Sequence, residues 1–335
     1  MSAERQVSIA LQTDKRAADY IALARLIDTF DFDAVTVYCD APFQPSYGPL
    51  LLMAPHLKRA RLGPAAIAPA RMHPIDIAAQ AALLETLAPG RTYVGLARGA
   101  WLEDYGIHEA AHPLQAIREA ADVVRYLLGG ARGGYTGDVY RLAAHVHAPY
   151  PLPEAQPPLL IGSWGRRLCA LAGEIADEVK VGGSTNPDLV PVIAGYIAAG
   201  EQSANRAPGS VGLVFGAVTV VDEDRAAARL AARHAAALYL PVVAPLDPTV
   251  SVEPELVERL RAAANAGDLD GAAVLISDDL LDRFAFSGNA ADLIRQAEGL
   301  FAAGVSRIEF GTPHGLASER GIRILGDEVL PALRG

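Results

Sequence analysis

LGPAAIAPARMHPIDIAAQAALLETLAPGRTYVGLAR, residues 62–98, is the stretch that decides the fold. Its opening apolar run at 62–67 reads as a buried strand, residues 74–87 read as a helix, and 92–98 are apolar again. Pro74 suits the first turn of that helix, because the N–H it lacks is one that a helix leaves unpaired there anyway. Strand, helix and strand in succession form a βαβ unit. Continuous apolar strands imply a parallel sheet covered on both faces. The same alternation extends outward in both directions. Upstream lie a strand at 7–13, a 3.6-period helix at 15–30 (apolar Ile21, Leu23, Leu26 and Ile27), a strand at 34–39, a turn-rich loop at 40–48 and a helix at 50–57. Downstream come an amphipathic helix at 113–128, strands at 159–162, 178–181, 212–221 and 307–311, and helices at 166–175, 187–199, 222–240, 290–303 and 318–333.

Eight strand–helix units of the α/β class fit a TIM (β/α)8 barrel with insertions better than an open doubly wound sheet. Two segments break the repeat: 129–158, with the hairpin-like GGYTGDVYRL, and 241–288, proline-rich and then helical. Both read as insertions on one barrel, and no Ser/Gly linker divides the chain, so residues 1–335 read as a single domain. In such a barrel the site lies at the carboxyl ends of the strands. The loops that matter then start at Thr13, Asp40, Ala65, Arg98, Gly162, Gly182, Val221 and Gly311.

Composition narrows the function. The 335 residues are 51% hydrophobic and 20% charged, the profile of a compact globular protein. A chain of this length buries roughly three quarters of its unfolded surface, so its core needs no disulfide or metal staple. A net charge of −10 argues against a duplex-binding surface or a polybasic membrane anchor, so neither nucleic acid nor membrane is an expected partner. Only Lys15, Lys58 and Lys180 among the 29 basic residues are lysines. Arginine suits bidentate carboxylate and phosphate recognition, although a GC-rich coding sequence gives the same bias. Cys39 and Cys169 are too few for a disulfide framework or a structural zinc site. The polar SAERQ after Met1 does not read as a signal peptide, and apolar runs fall far short of the ~20 residues of a membrane span. A cytoplasmic location is the simplest expectation.

HEAAH at 108–112 matches the H-E-x-x-H of zinc proteases, which works only on a helix with both histidines on one face. Pro113 disfavours the helical region for His112, so the string reads as a loop leading into the next helix, and no metal site is expected. His145 and His147 alternate as strand neighbours would, but no nearby carboxylate completes a ligand set. Two glycine-rich strand ends carry more. In LLIGSWGRR, 159–167, a strand runs through Gly162, Ser163, Trp164 and Gly165 into a helix whose first turn holds Arg166 and Arg167. Glycines allow close backbone approach, and the first amides of a helix point at an anion. VKVGGSTNP, 179–187, repeats the pattern with Gly182, Gly183, Ser184 and Thr185. Consecutive late strand ends of this kind are where TIM barrels build phosphate sites. No P-loop and no G-x-G-x-x-G after the first strand is present. Asp40 and Arg98 end the second and fourth strands, with Glu103 and Asp104 in the loop that follows.

Taken in order, the stretches 61–99, 157–187, 304–315 and 326–334 resemble the luciferase-like flavin-dependent oxidoreductases, in particular the branch containing the methylenetetrahydromethanopterin reductases. The likeness covers most of the chain and is weakest at 129–158 and 241–288. It implies a barrel that binds coenzyme F420 or FMN, with the phosphate on Gly162–Arg166 and Gly182–Thr185. It also implies a non-prolyl cis peptide at Ala65–Ala66, behind the ring, and Cys39, Asp40, Ala65, Ala66, Arg98 and Gly99 lining the ring. The family suggests a homodimer as well. Two departures stand out. Many relatives carry Asp-His where this chain has Asp40-Ala41, so the histidine base is missing. Ala100 stands where related deazaflavin enzymes place an acid. Asp40 and Glu103 are then the catalytic candidates, with Asp104 as the alternative to Glu103.

The expected function is an F420-dependent oxidoreductase that moves a hydride between the deazaflavin and an unidentified small organic substrate. Hydride transfer needs chiefly close, oriented stacking, so a missing acid is compatible with activity. An FMN-dependent monooxygenase using reduced flavin and oxygen is the alternative. A non-catalytic flavin-binding barrel is the third reading, kept open by Ala41 and Ala100.

Overall fold

The computed structural model describes residues 5–335. Its strands are β1 (Gln6–Leu11), β2 (Ala34–Val37), β3 (Arg61–Pro64), β4 (Val94–Ala97), β5 (Tyr135–Thr136), β6 (Arg141–Leu142), β7 (Leu159–Gly162), β8 (Glu178–Gly182), β9 (Gly212–Val221), β10 (Ala285–Gly288) and β11 (Arg307–His314). Eight of them run in the parallel order β3-β2-β1-β11-β9-β8-β7-β4. Bridges Leu62–Thr92 and Ile67–Leu96 join β3 to β4 and close the ring. The fold is therefore a TIM barrel. Helices between consecutive strands, such as Pro74–Leu87 between β3 and β4, cover its outside, as the quoted stretch requires.

Around the third strand the ladder breaks and resumes. The Ala65 N–H still donates to the Val37 carbonyl (2.9 Å), and the Ile67 N–H donates to the Gly95 carbonyl (2.9 Å). Between them the Ala65–Ala66 peptide is cis, at the position the family resemblance implied. Gly95 opposite cannot be replaced without conflict, because a Cβ there would run into the Pro64 carbonyl.

The two irregular segments differ. GGYTGDVYRL forms the antiparallel pair β5–β6. Its turn is held by Glu119 of helix Pro113–Leu128, which accepts the N–H groups of Asp138 (2.8 Å), Val139 (2.9 Å) and Tyr140 (2.8 Å) and the Gln115 amide (2.8 Å). The second segment is not only an insertion. Helices Leu240–Val243, Pro254–Asn265, Leu269–Leu275 and Asp278–Phe284 lead into β10, which pairs in parallel with Val218–Val221 of β9. AFSG is too short to show a period of two, so nothing local separates this strand from the helical segment before it. Two further boundaries move. The expected helix at 50–57 starts earlier, as Tyr47–Met53 followed by a tight turn Ala54–His56. His145 sits in a turn and His147 in irregular chain rather than on a strand.

Period-two alternation in β8 and β11 buries charge inside the barrel. Val179, Val181, Ile308 and Phe310 pack in the apolar core, while Glu178, Lys180, Arg307 and Glu309 form ion pairs with one another across the barrel. Arg307, fully buried, donates to Glu178 from Nη2 (2.6 Å) and Nε (3.3 Å) and to the Ser8 hydroxyl (3.2 Å). Arg61 reaches Glu178 at 2.9 Å. Burial alone would raise the Glu178 carboxyl, but Arg307 and Arg61 more than offset it and hold it below the ordinary carboxylate range. Higher in the barrel Lys180 pairs with Glu309. Gly216 makes room for Glu309, since a Cβ there would crowd its side chain.

Candidate active site

The carboxyl ends of the strands open into one cavity of about 1310 Å³. Sites for one drug-sized ligand reach about 1,000 Å³, so this cavity has room for a cofactor and a substrate together.

Asp40, just past β2, lines it. Gln12, buried at the end of β1, donates from Nε2 to Asp40 Oδ2 at 3.2 Å and accepts the Thr13 N–H at 2.8 Å, which fixes the amide's orientation. Burial pushes the Asp40 carboxyl up, and the Gln12 bond with the charges of Lys180 and Arg71 pulls it only part of the way back. A carboxyl held this way keeps its proton to higher pH than an ordinary aspartate and stands where it can exchange one with the cavity. Tyr239 closes the cavity from the β9–β10 segment. Its phenol is pushed up to about 12 by burial and by the Asp40 charge, so it stands as a neutral hydroxyl. Trp101 meets Tyr239 edge-on, with ring centroids 5.7 Å apart.

Cys39, Ala65, Ala66, Arg98 and Gly99 also line the cavity. Arg71 donates to the Cys39 carbonyl at 2.6 Å and tethers the loop after β3 to that wall. The Arg98 guanidinium is held in a bidentate pair with Glu109 at 2.9 and 2.5 Å. Glu103 and Asp104 are exposed on the short helix Glu103–Tyr105 and are not part of the lining.

At the opposite side the two glycine turns meet. β7 passes through Gly162, Ser163 and Trp164 to Gly165, where helix Arg166–Ile175 begins. The exposed Arg166 and Arg167 make no salt bridge among the described residues. Gly183 (φ +85°) turns the chain after β8, its N–H bonded to the Gly216 carbonyl at 2.6 Å. The Trp164 indole N–H donates to the Gly182 carbonyl at 2.8 Å and clips the turns together. A Cβ on Gly165 or Gly182 would meet nothing within 4 Å, so both glycines leave open cavity space where a side chain would stand. Ser184 and Thr185 are buried behind this surface. The Ser184 hydroxyl accepts the Asn186 N–H (3.1 Å), and Thr185 donates to the Asp282 carbonyl (2.8 Å). They brace the loop and do not face the cavity.

The structure thus gathers Cys39, Asp40, Ala65, Ala66, Arg98, Gly99, Gly162, Ser163, Trp164, Gly165, Arg166, Gly182 and Gly183 around one space. Arg71, Lys180 and Tyr239 were not expected there, nor was Gln12 behind Asp40. Of these only Lys180 carried a signal, as a charge inside an apolar strand. HEAAH lies in the loop before helix Pro113–Leu128, with Glu109 spent on Arg98. Among the described residues no three His, Cys, Asp or Glu side chains gather in metal-binding geometry.

The luciferase-like monooxygenase family profile matches residues 2–307. The chain is 29% identical over 298 residues to the 5,10-methylenetetrahydromethanopterin reductase of Archaeoglobus fulgidus, covering 86% of this chain and 87% of that one. It is 26% identical over 348 residues to the Methanopyrus kandleri protein of the same name, covering 98% and 99%. Among solved structures, the coenzyme F420 dependent tetrahydromethanopterin reductase of Methanopyrus kandleri superposes with a TM-score of 0.90 at 24% identity, over 99% of this chain and 100% of that one.

Proposed function

The chain belongs to the luciferase-like monooxygenase family, and within it we propose a coenzyme F420-dependent oxidoreductase that moves a hydride between the deazaflavin and a small organic substrate. The reading is carried by one continuous cavity at the strand ends that runs from Asp40 to the paired glycine turns. The chemistry of that cavity suits the coenzyme. Open space beside Gly165 and Gly182, free amides at the start of a helix and unpaired Arg166 and Arg167 fit a phosphate. Ala65, Ala66 and Gly99 leave a wall without bulk for a flat ring. When bound, the deazaflavin supplies the hydride chemistry itself.

The chain's own residues bind, orient and handle the proton. Gly162–Arg166, with Gly182 and Gly183, hold the phosphate end, and the Trp164 clip keeps the two turns in register. Asp40, oriented by Gln12, is the group that takes or gives the proton accompanying hydride transfer. It takes the place of the absent histidine and of an acid at Ala100. Glu103, exposed on its short helix, has no such route to the cavity. Tyr239 and Trp101 exclude water from the substrate side.

We also read the chain as one domain with both insertions part of it, and as a cytoplasmic protein. No helix among the described residues is long and apolar enough to cross a membrane, and Cys39 and Cys169 are unpaired. Two copies are proposed to pair through helices Tyr47–Met53 and Pro74–Leu87, which expose Leu52, Ile75, Leu83 and Leu87. Sedimentation velocity tests this: a monomer at micromolar concentration would refute it.

The functional test is calorimetric titration of the apoprotein with oxidised F420 and with FMN. Micromolar or tighter binding of F420, with FMN much weaker, is the expected result. A preference for FMN would move the assignment to the monooxygenase, and binding of neither would refute the phosphate site.

A further inference from the structure

TIM-barrel interiors are ordinarily layers of branched apolar side chains. Here a ladder of alternating charge climbs the barrel instead: Arg61, Glu178, Arg307, Glu309 and Lys180. Its lower end reaches solvent at Arg61, whose side chain is 27% exposed. Its upper end, Lys180, is only 6% exposed and lies on the cavity floor.

An ammonium has three N–H donors. One is taken by Glu309, and the face of Tyr38, 4.8 Å from Nζ to the ring centroid, takes a second side. Among the described residues no acceptor meets the third. Glu309 cannot swing away to free Lys180, because it is itself fully buried, 3.5 Å from the Ser8 hydroxyl and 3.8 Å from Arg307. A cation fixed in this way, with one unmet donor at the floor of a largely apolar cavity, acts on negative charge without having to reorganise. Asp40 lies on the same floor, but Gln12 rather than Lys180 holds it, and Lys180 makes no salt bridge with it.

We propose that Lys180 is a positioning residue for charge: its free N–H faces the ring-binding end of the cavity and favours the electron-rich, reduced form of the bound coenzyme over the oxidised form. This rests on the deazaflavin reading above. Two consequences follow for the reaction. The chain binds the reduced coenzyme more tightly than it would without the cation, and the bound coenzyme is easier to reduce, which favours withdrawal of hydride from the substrate. Protein charge close to a flavin-type ring is one of the means by which a fold tunes such a cofactor.

The test uses the whole chain with coenzyme F420, oxidised and chemically reduced, each titrated by fluorescence into wild type, Lys180→Gln and the double variant Lys180→Met/Glu309→Met. The double variant removes both charges and leaves no orphaned carboxylate. Lys180→Gln keeps an amide donor for Glu309 in case the double variant does not fold, and circular dichroism reports folding in both. The ratio of oxidised to reduced dissociation constants is expected to fall by about tenfold. For a two-electron couple that is a midpoint potential lower by about 30 mV. Lys180→Arg, which retains the charge, is expected to restore most of the ratio. Equal weakening of both redox forms, or an unchanged ratio in a folded variant, would overturn the proposal, since a purely structural lysine moves both forms together. If wild type binds neither form of F420, the deazaflavin reading itself fails and the proposal falls with it.

Discussion

Replacing Trp164 by Phe tests whether the two glycine turns act as one phosphate-binding unit. The indole N–H donates to the Gly182 carbonyl at 2.8 Å, and it is the side-chain bond that joins the β7 turn to the β8 turn. Phenylalanine keeps an aromatic ring packed against the cores on both sides but cannot donate. Because Gly182 lines the cavity, water reaches the released carbonyl. The loss is then the net value of one hydrogen bond, about 1 kcal/mol, and not the larger cost of an orphaned buried group. In a chain of this size that lowers Tm by only a degree or two, about what thermal entropies imply. If the clip sets the spacing of the phosphate amides, the same ~1 kcal/mol appears as roughly fivefold weaker binding of the phosphate-bearing coenzyme. A chromophore lacking the phosphate tail should lose almost nothing. The assay is therefore a pair of titrations, F420 and its phosphate-free chromophore, into wild type and Trp164→Phe. An equal loss for both ligands, or none for F420, would refute the argument that the clipped turns hold the phosphate.

Asp40→Asn keeps the volume and an acceptor for Gln12 but removes the ionisable group. Since burial raises the Asp40 carboxyl, ionising it costs folding energy, and wild-type stability from this group is lost as pH climbs from the ordinary aspartate value through the raised one. The variant is expected to be the more stable at pH 7, with its advantage disappearing in acid. Urea midpoints at pH 7 and pH 4 check it, and no gain at pH 7 would contradict a desolvated Asp40. With a substrate in hand, the same variant should lose about 10²–10⁴ in turnover while its affinity for F420 holds. Glu119→Ala strips three backbone N–H groups of their acceptor and should cost about 3 kcal/mol at pH 7. Hydrogen bonds outweigh burial and lower the Glu119 carboxyl, so this contribution is present above the ordinary glutamate range and fades as pH falls through the folded value. Urea titration of the variant reads it, and a loss under 1 kcal/mol would show that the hairpin stands without it. His314, fully buried, donates or accepts only within the fold, and burial lowers its pKa to about 4. Its unfolded form protonates near 6.5, so wild type should lose about 3 kcal/mol between pH 6.5 and pH 4. His314→Asn should flatten that slope.

Much of the fold was legible in the chain. Each βα unit declares itself locally, through apolar runs of strand length, helices opened by Pro74, Pro113 or Pro187, and glycines at strand ends. The missed strand β10 is four residues with no visible period, and only its pairing with β9 identifies it. The site was half legible. Asp40 and the glycine turns stand at strand ends, where barrel geometry sends them to the mouth. Glu103 stands only a few residues beyond such an end, yet a short helix turns it outward.

What the sequence determined by itself was whatever depends on neighbours along the chain: which segments are strands and helices, how many repeats there are, and therefore a barrel with its site at one end. What only the tertiary structure decided depends on partners far away in sequence. Lys180 meets Glu309 across 129 residues, and Trp164 finds the Gly182 carbonyl. Asn186 and Asp282 claim the hydroxyls of Ser184 and Thr185. A local pattern says which way a strand residue points, since alternate residues face opposite sides. Whether the group it reaches is an ion, a carbonyl or open cavity is settled only when the distant strands close the ring.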